Sequence, residues 1–122
     1  MGIQNYRDLL VWQKSMDLTD QIYRLSRSLP KEELYCLSDQ MRRAAVSVPS
    51  NIAEGCRRGS TKEYLRFLHI ACGSTAELET QLEIAVRQEL FTRQQISSAY
   101  HLCLEIEKML RTIIYRLRVS QE

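Results

Sequence analysis

Any chemistry in this chain would have to come from its two histidines, its four cysteines and one arginine-rich loop. His101 and Glu105, in His-Leu-Cys-Leu-Glu, stand one turn apart on a helix, while Cys103 falls on another side. Two donors fall short of the three or four protein ligands that a zinc site takes, so His101 reads as a surface histidine. His69 lies on a different helical segment. The sequence contains no H-E-x-x-H, no paired Glu-x-x-His of the di-iron type, no G-x-S-x-G, no H-R-D and no Rossmann fingerprint. Cys36, Cys56, Cys72 and Cys103 are far apart with no C-x-x-C pair. They read as reduced thiols at small helical positions. No acid–base pair, nucleophile or metal set converges. The expectation is therefore no catalytic residue, no metal, no cofactor and no enzyme activity.

The loop is more suggestive. "AAVSVPSNIAEGCRRGS", residues 44–60, begins as a helix, inserts Pro49 and ends in arginines and glycine. "GCRRGSTK" invites comparison with a phosphate loop. That loop needs G-x-x-x-x-G-K-[ST] between a strand and a helix, and no strand precedes this segment. What survives is weaker. A helix N-terminus presents free amides and the positive end of a dipole, and Arg57, Arg58 and Lys62 surround this one. With Arg42, Arg43 and Arg66 they are the candidate contacts to an RNA or DNA backbone. Aromatic residues for base stacking are sparse here, with Tyr64 the nearest in sequence. Tyr6, Trp12, Tyr35 and Tyr115 read as core or interface aromatics. The pattern favours backbone contact over sequence reading.

The net charge of +2 argues for no partner, but the distribution is uneven. Residues 24–66 hold nine basic side chains against five acids, residues 77–107 six acids against two arginines, and residues 108–118 four more basic side chains. Such asymmetry suits an anionic partner on one surface, or charge pairing between subunits. No apolar segment approaches about 20 residues, and the start lacks the pattern of a secretory leader. A cytoplasmic protein with no membrane partner is expected.

Four periodic segments must position these residues. Apolar spacing predicts helices at about 6–28, 33–56, 60–89 and 92–118 of one domain spanning residues 1–122. Leu29-Pro30 ends the first, because a residue before proline avoids the α region. Ser60 with Glu63, and Thr92 with Gln95, have capping-box spacing. The short loops predict an all-α, antiparallel up-down-up-down four-helix bundle. The third helix carries a second, weaker apolar stripe of Phe67, Ile70, Ser74, Gln81 and Ile84. This is the candidate oligomer interface. Small residues near Gly73 suggest that another helix approaches closely there.

Pro49 inside a helix should cost about 3 kcal/mol and leave the Ala45 carbonyl without its donor. The expectation is a kink, with Ser47, Asn51 and Gln40 or Arg43 forming a polar row that absorbs the freed groups. Glu54 lies near the end of that row, within reach of an arginine, and Gly55 follows it.

"QMRRAAVSVPSNIAEGCRRGSTKEYLRFLHIACGSTAELETQLEIA", residues 40–85, closely resembles the four-helix-bundle family first named after an intervening-sequence protein of 23S ribosomal RNA. "YRDLLVWQKSMDL" and "LPKEELYCLSDQ" fit the same pattern, and the fourth helix matches in periodicity only. The most specific part is V-P-S-N-I-A-E-G, followed in register by A-E-L-E-T-Q-L. The resemblance implies a small cytoplasmic bacterial bundle in rings of five subunits, with no catalytic residues to carry over. Related accessory variability proteins of diversity-generating retroelements have a similar barrel, bind nucleic acid through a basic surface and partner a reverse transcriptase. The family name records a genetic location within an rRNA insert. The candidate partners are thus further copies of the chain, an RNA or DNA backbone, and a reverse transcriptase.

Overall fold

A computed structural model describes residues 5–121, and among them there are four α-helices and no strand. Helix α1 spans Leu10–Arg27, α2 Asp39–Arg57, α3 Thr61–Arg87 and α4 Arg93–Ser120. A 3₁₀ turn at Tyr6–Asp8 precedes α1. A second at Lys31–Glu33 runs into a π turn at Leu34–Ser38, which leads directly into α2.

The first helix starts four residues later than its periodicity predicts. The Asn5 side chain accepts the Arg7 N–H at 3.0 Å and closes a separate 3₁₀ turn. Leu9 is then extended before α1 begins. At the α3–α4 junction both Thr92 and Gln95 make the reciprocal bonds of a full capping box. At Ser60 only half forms. The Ser60 hydroxyl accepts the Glu63 N–H at 3.1 Å, while the Glu63 carboxylate turns to Arg66.

Cross-helix bonds set the packing. Ser38 Oγ donates to the Ser26 carbonyl at 3.1 Å, Arg42 Nε to Ser26 Oγ at 2.8 Å, and Thr19 Oγ1 to the Ala45 carbonyl at 3.2 Å. Numbers thus rise along α2 as they fall along α1. The same reversal joins α3 to α4, where Glu83 meets Arg93 at 2.7 Å and His69 meets Arg118 at 2.9 Å. Inside lie Leu18 and Ile22 of α1, Met41, Val48 and Ile52 of α2, Leu68, Leu78 and Leu82 of α3, and Ile96, Ile106 and Leu110 of α4, all fully buried. Each contributes about 1.5–3 kcal/mol of burial energy, which explains why apolar spacing alone locates the helices.

Helix α2 continues through Pro49. The carbonyl of Ala45, which the proline cannot serve, takes its bond from Thr19 of α1. This corrects the expected donor set. Ser47 and Asn51 do form a polar row, with Asn51 Nδ2 donating to the Ser47 carbonyl at 2.7 Å and to its hydroxyl at 2.9 Å. The Ser47 hydroxyl in turn pairs with Ser74 Oγ of α3 at 2.7 Å. The row ties α2 to α3 and does not reach the freed carbonyl. Gln40 stays exposed, and Arg43 bonds Asp39 at 3.0 Å instead.

Candidate nucleic-acid interface

The site begins with a glycine. A Cβ on Gly55 would lie 2.7 Å from Phe67 Cβ and 3.1 Å from Tyr64 Cδ1. Only a residue without a side chain lets the end of α2 approach the start of α3 so closely. Gly59, at φ +83°, then reverses the chain in the left-handed region. The result brings Arg57, Arg58, Lys62 and Arg66 around one turn, with Glu54 and Glu63 as the acids nearest in sequence.

Two of these cations are held in place. Arg58 Nη2 bonds Glu54 Oε2 at 2.7 Å, and Arg66 bonds both Glu63 oxygens at 3.1 Å. Arg66 chiefly holds the Glu63 carboxyl below its ordinary range, by hydrogen bond and charge against a smaller opposing effect of burial. Both guanidiniums also cover the Phe67 ring, Arg58 at 5.0 Å and Arg66 at 4.4 Å from its centroid. Arg57 and Lys62 make no salt bridge among the described residues and are exposed. Behind the turn, burial pushes the Tyr64 hydroxyl up to about 12, with a further rise from the charge of Cys56 and the hydrogen bond to it. Burial likewise raises the Cys56 thiol. Neither supplies an ionised group near neutral pH.

Two candidates lie elsewhere. Arg42 and Arg43 sit near the other end of α2, about 22 Å from Arg57 at 1.5 Å rise per residue. Arg42 lies 5.1 Å over the Tyr23 ring while bonding Ser26, and Arg43 is paired with Asp39. Six sequence candidates thus resolve into a turn of four and a separate pair.

Sequence reasoning missed the aromatic component. The N-terminal 3₁₀ turn folds back so that Arg57 lies 5.4 Å over the Tyr6 ring. Arg7 lies 5.7 Å from Tyr6 and 5.6 Å from Trp12, and the two rings meet edge to face at 5.2 Å. The sequence separation between Tyr6 and Arg57 hid this, and no local pattern signals it.

The stripe proposed for oligomer contact divides. Phe67, Ser74 and Gln81 are buried within this chain, Phe67 against Gly55 and Ser74 against Ser47. Ile70 and Ile84 remain about 40% exposed. The second apolar face of α3 is therefore largely the face that α2 covers. Gly73 is exposed, and beyond its own turns of helix a Cβ there would meet nothing within 4 Å, so no other helix among the described residues packs closely against it.

A second cluster lines a groove of about 520 Å³ between α3 and α4, including His69, Cys72, Glu107, Arg111, Tyr115 and Arg118. His69 Nε2 accepts from Arg118, and Arg111 pairs with Glu107 at 2.9 Å. Glu79 of α3 lies close to Glu107 of α4, and its Oε2 is buried with no hydrogen-bond partner among the described residues. Burial, then the neighbouring Glu107 carboxyl, push the Glu79 carboxyl up to about 7 despite Arg111. Burial also raises the Cys72 thiol and pushes Cys103 up to about 12, reinforced there by Glu79 and Glu107. These cysteines are thiols at neutral pH and poor nucleophiles. His101 and Glu105 do not converge. The imidazole Nδ1 donates to the Ser97 carbonyl at 2.8 Å, and Glu105 pairs with Lys14 at 3.1 Å. No helix among the described residues is long and apolar enough to cross a membrane.

The signature of one family matches residues 7–112, under the description 23S rRNA-intervening sequence protein. A solved crystal structure from Bacteroides thetaiotaomicron VPI-5482, described as a protein of unknown function from the S23 ribosomal protein family, is 31% identical. It aligns over 86% of this chain and 98% of its own, with a TM-score of 0.81. A search of curated proteins finds no match. The match runs from the first 3₁₀ turn, through the Pro49 and Gly55 signature, well into α4. The chain belongs to the 23S rRNA-intervening sequence protein family.

Proposed function

We propose that this is a non-enzymatic, cytoplasmic protein that binds the backbone of RNA or DNA through the basic turn between α2 and α3. It would act as an antiparallel up-down-up-down bundle assembled into a homo-oligomeric ring, five subunits in the reading that the family resemblance supports. The carrying observation is the convergence of Arg57, Arg58, Lys62 and Arg66 around Gly59, with Glu54 and Glu63 already engaged by two of them. A ring would repeat this modest patch, and weak contacts would add by avidity. The reversed numbering of cross-helix bonds supports the antiparallel order.

Fluorescence anisotropy with a generic RNA hairpin at rising salt tests the reading. Binding should weaken steeply with salt, and a combined Arg58→Gln, Lys62→Gln and Arg66→Gln variant should lose affinity and reduce the log–log salt slope by roughly 2–3. No binding at about 50 mM salt, or an unchanged slope in the variant, overturns it. Light scattering checks the assembly, expected at five times the 14.3 kDa subunit mass.

A protein-interaction scaffold, for example an accessory subunit of a reverse transcriptase, is the second reading. Exposed Ile70 and Ile84 on α3 with Leu104 and Tyr115 on α4 favour it. Co-purification with a polymerase encoded beside it, unaffected by the triple charge variant, distinguishes the two.

A further inference from the structure

We infer that the basic turn recognises unpaired nucleic acid, with bases laid on the ladder that Tyr6, Trp12, Arg7 and Arg57 build beside it. This rests on the nucleic-acid reading above and adds which form of the polymer is taken.

The two aromatic rings meet edge to face at 5.2 Å, and the guanidiniums of Arg7 and Arg57 lie 5.4–5.7 Å from their centroids. Both arginines are exposed, and neither makes a salt bridge among the described residues. Tyr6 and Trp12 are partly exposed and lie outside the set of fully buried core side chains. A planar guanidinium and an aromatic ring offer the same surface to a base, a flat polarisable face. Arg57 belongs to both features, as a rung of the ladder and as the neighbour of Arg58. Phosphate-binding cations and a stacking platform are therefore contiguous.

This pairing discriminates between polymers. A duplex presents phosphates and hides its base faces in its own stack, so it would use the cations alone. A single strand has free base faces and would use both. The ladder reads ring faces that RNA and DNA share, so it selects for strandedness and tolerates sequence.

Trp12 is the only tryptophan, so its emission reports directly on the ladder. The full-length protein is titrated with an unlabelled oligouridylate of about 12 nucleotides and with a blunt RNA duplex of equal length. Trp12 emission is followed, and labelled probes give affinities by anisotropy in parallel. The oligouridylate should quench Trp12 and bind more tightly than the duplex. Tyr6→Ala should weaken oligouridylate binding at least about fivefold, and Tyr6→Phe should retain it, with melting curves establishing that both variants are folded. Equal affinity for the two probes, with Trp12 emission unchanged, overturns the inference and leaves the basic-turn reading standing. Failure of both probes to bind at about 50 mM salt overturns both.

Discussion

Thr19 and Ala45 lie 26 residues apart in sequence, yet one hydroxyl joins them across two helices. The same Oγ1 also lies 2.8 Å from the Ser15 carbonyl, so a single proton is shared between two acceptors. Thr19→Val keeps the shape of the side chain and removes the donor. The Ala45 carbonyl would then be unserved, and stability should fall by about 1–2 kcal/mol in chemical denaturation. Val48 and Ile52 beside it were predictable from spacing, whereas the partner of a carbonyl is a tertiary fact that no window of sequence holds. Gly55 is the opposite case. Its position in the V-P-S-N-I-A-E-G signature marked it as special, and the 2.7 Å approach to Phe67 supplies the reason. Gly55→Ala improves intrinsic helix propensity by about 1 kcal/mol, but the steric clash should exceed that gain. A net loss of about 1–2 kcal/mol in melting experiments is expected, and a stabilised variant would show that α2 and α3 yield easily.

Among the helices, the α3–α4 seam should give stability a dependence on pH. Glu79 holds its proton up to about 7 in the folded chain, against an ordinary value of 4.5. Between those values the folded form binds a proton that the unfolded form releases. The contribution is complete below about pH 4.5 and is lost as pH rises through about 7. Glu63 and Glu83, held down chiefly by hydrogen bonds from Arg66 and Arg93, act in the opposite sense at lower pH. Glu79→Gln keeps the shape of the side chain without a titrating proton, so its melting temperature should vary less between about pH 5 and 8 than that of the parent. Equal slopes would mean that Glu79 does not govern the seam. Apolar periodicity located all four helices, but it could not pair Glu79 with Glu107, because both sit at flanking positions that read as solvated. The separation of Arg42 and Arg43 from Arg57 and Arg58, by contrast, follows from helical rise alone.

At the scale of the whole molecule, the face around Gly73 is open. Small residues there suggest close packing, yet beyond its own turns of helix no atom of the described residues comes within 4 Å of where a Cβ would stand. Gly73→Ala should therefore stabilise the subunit by about 0.5–1 kcal/mol through helix propensity. The expected outcome is a higher melting temperature with an unchanged mass by light scattering. A variant that falls apart into smaller species would place another subunit against this face. Burial arguments reach only as far as one chain, which is why Phe67 and Ser74 looked like contact residues from spacing and prove to be interior. The bond between Thr19 and Ala45 also bears on how the chain acquires its shape. Alone, α2 has a gap in its backbone ladder at Pro49, and the residue that fills it belongs to α1. Synthesis delivers α1 first. The second helix thus completes its hydrogen bonding only by docking on a partner already made, so the first two helices should form as one cooperative unit, with their amides gaining protection from exchange together.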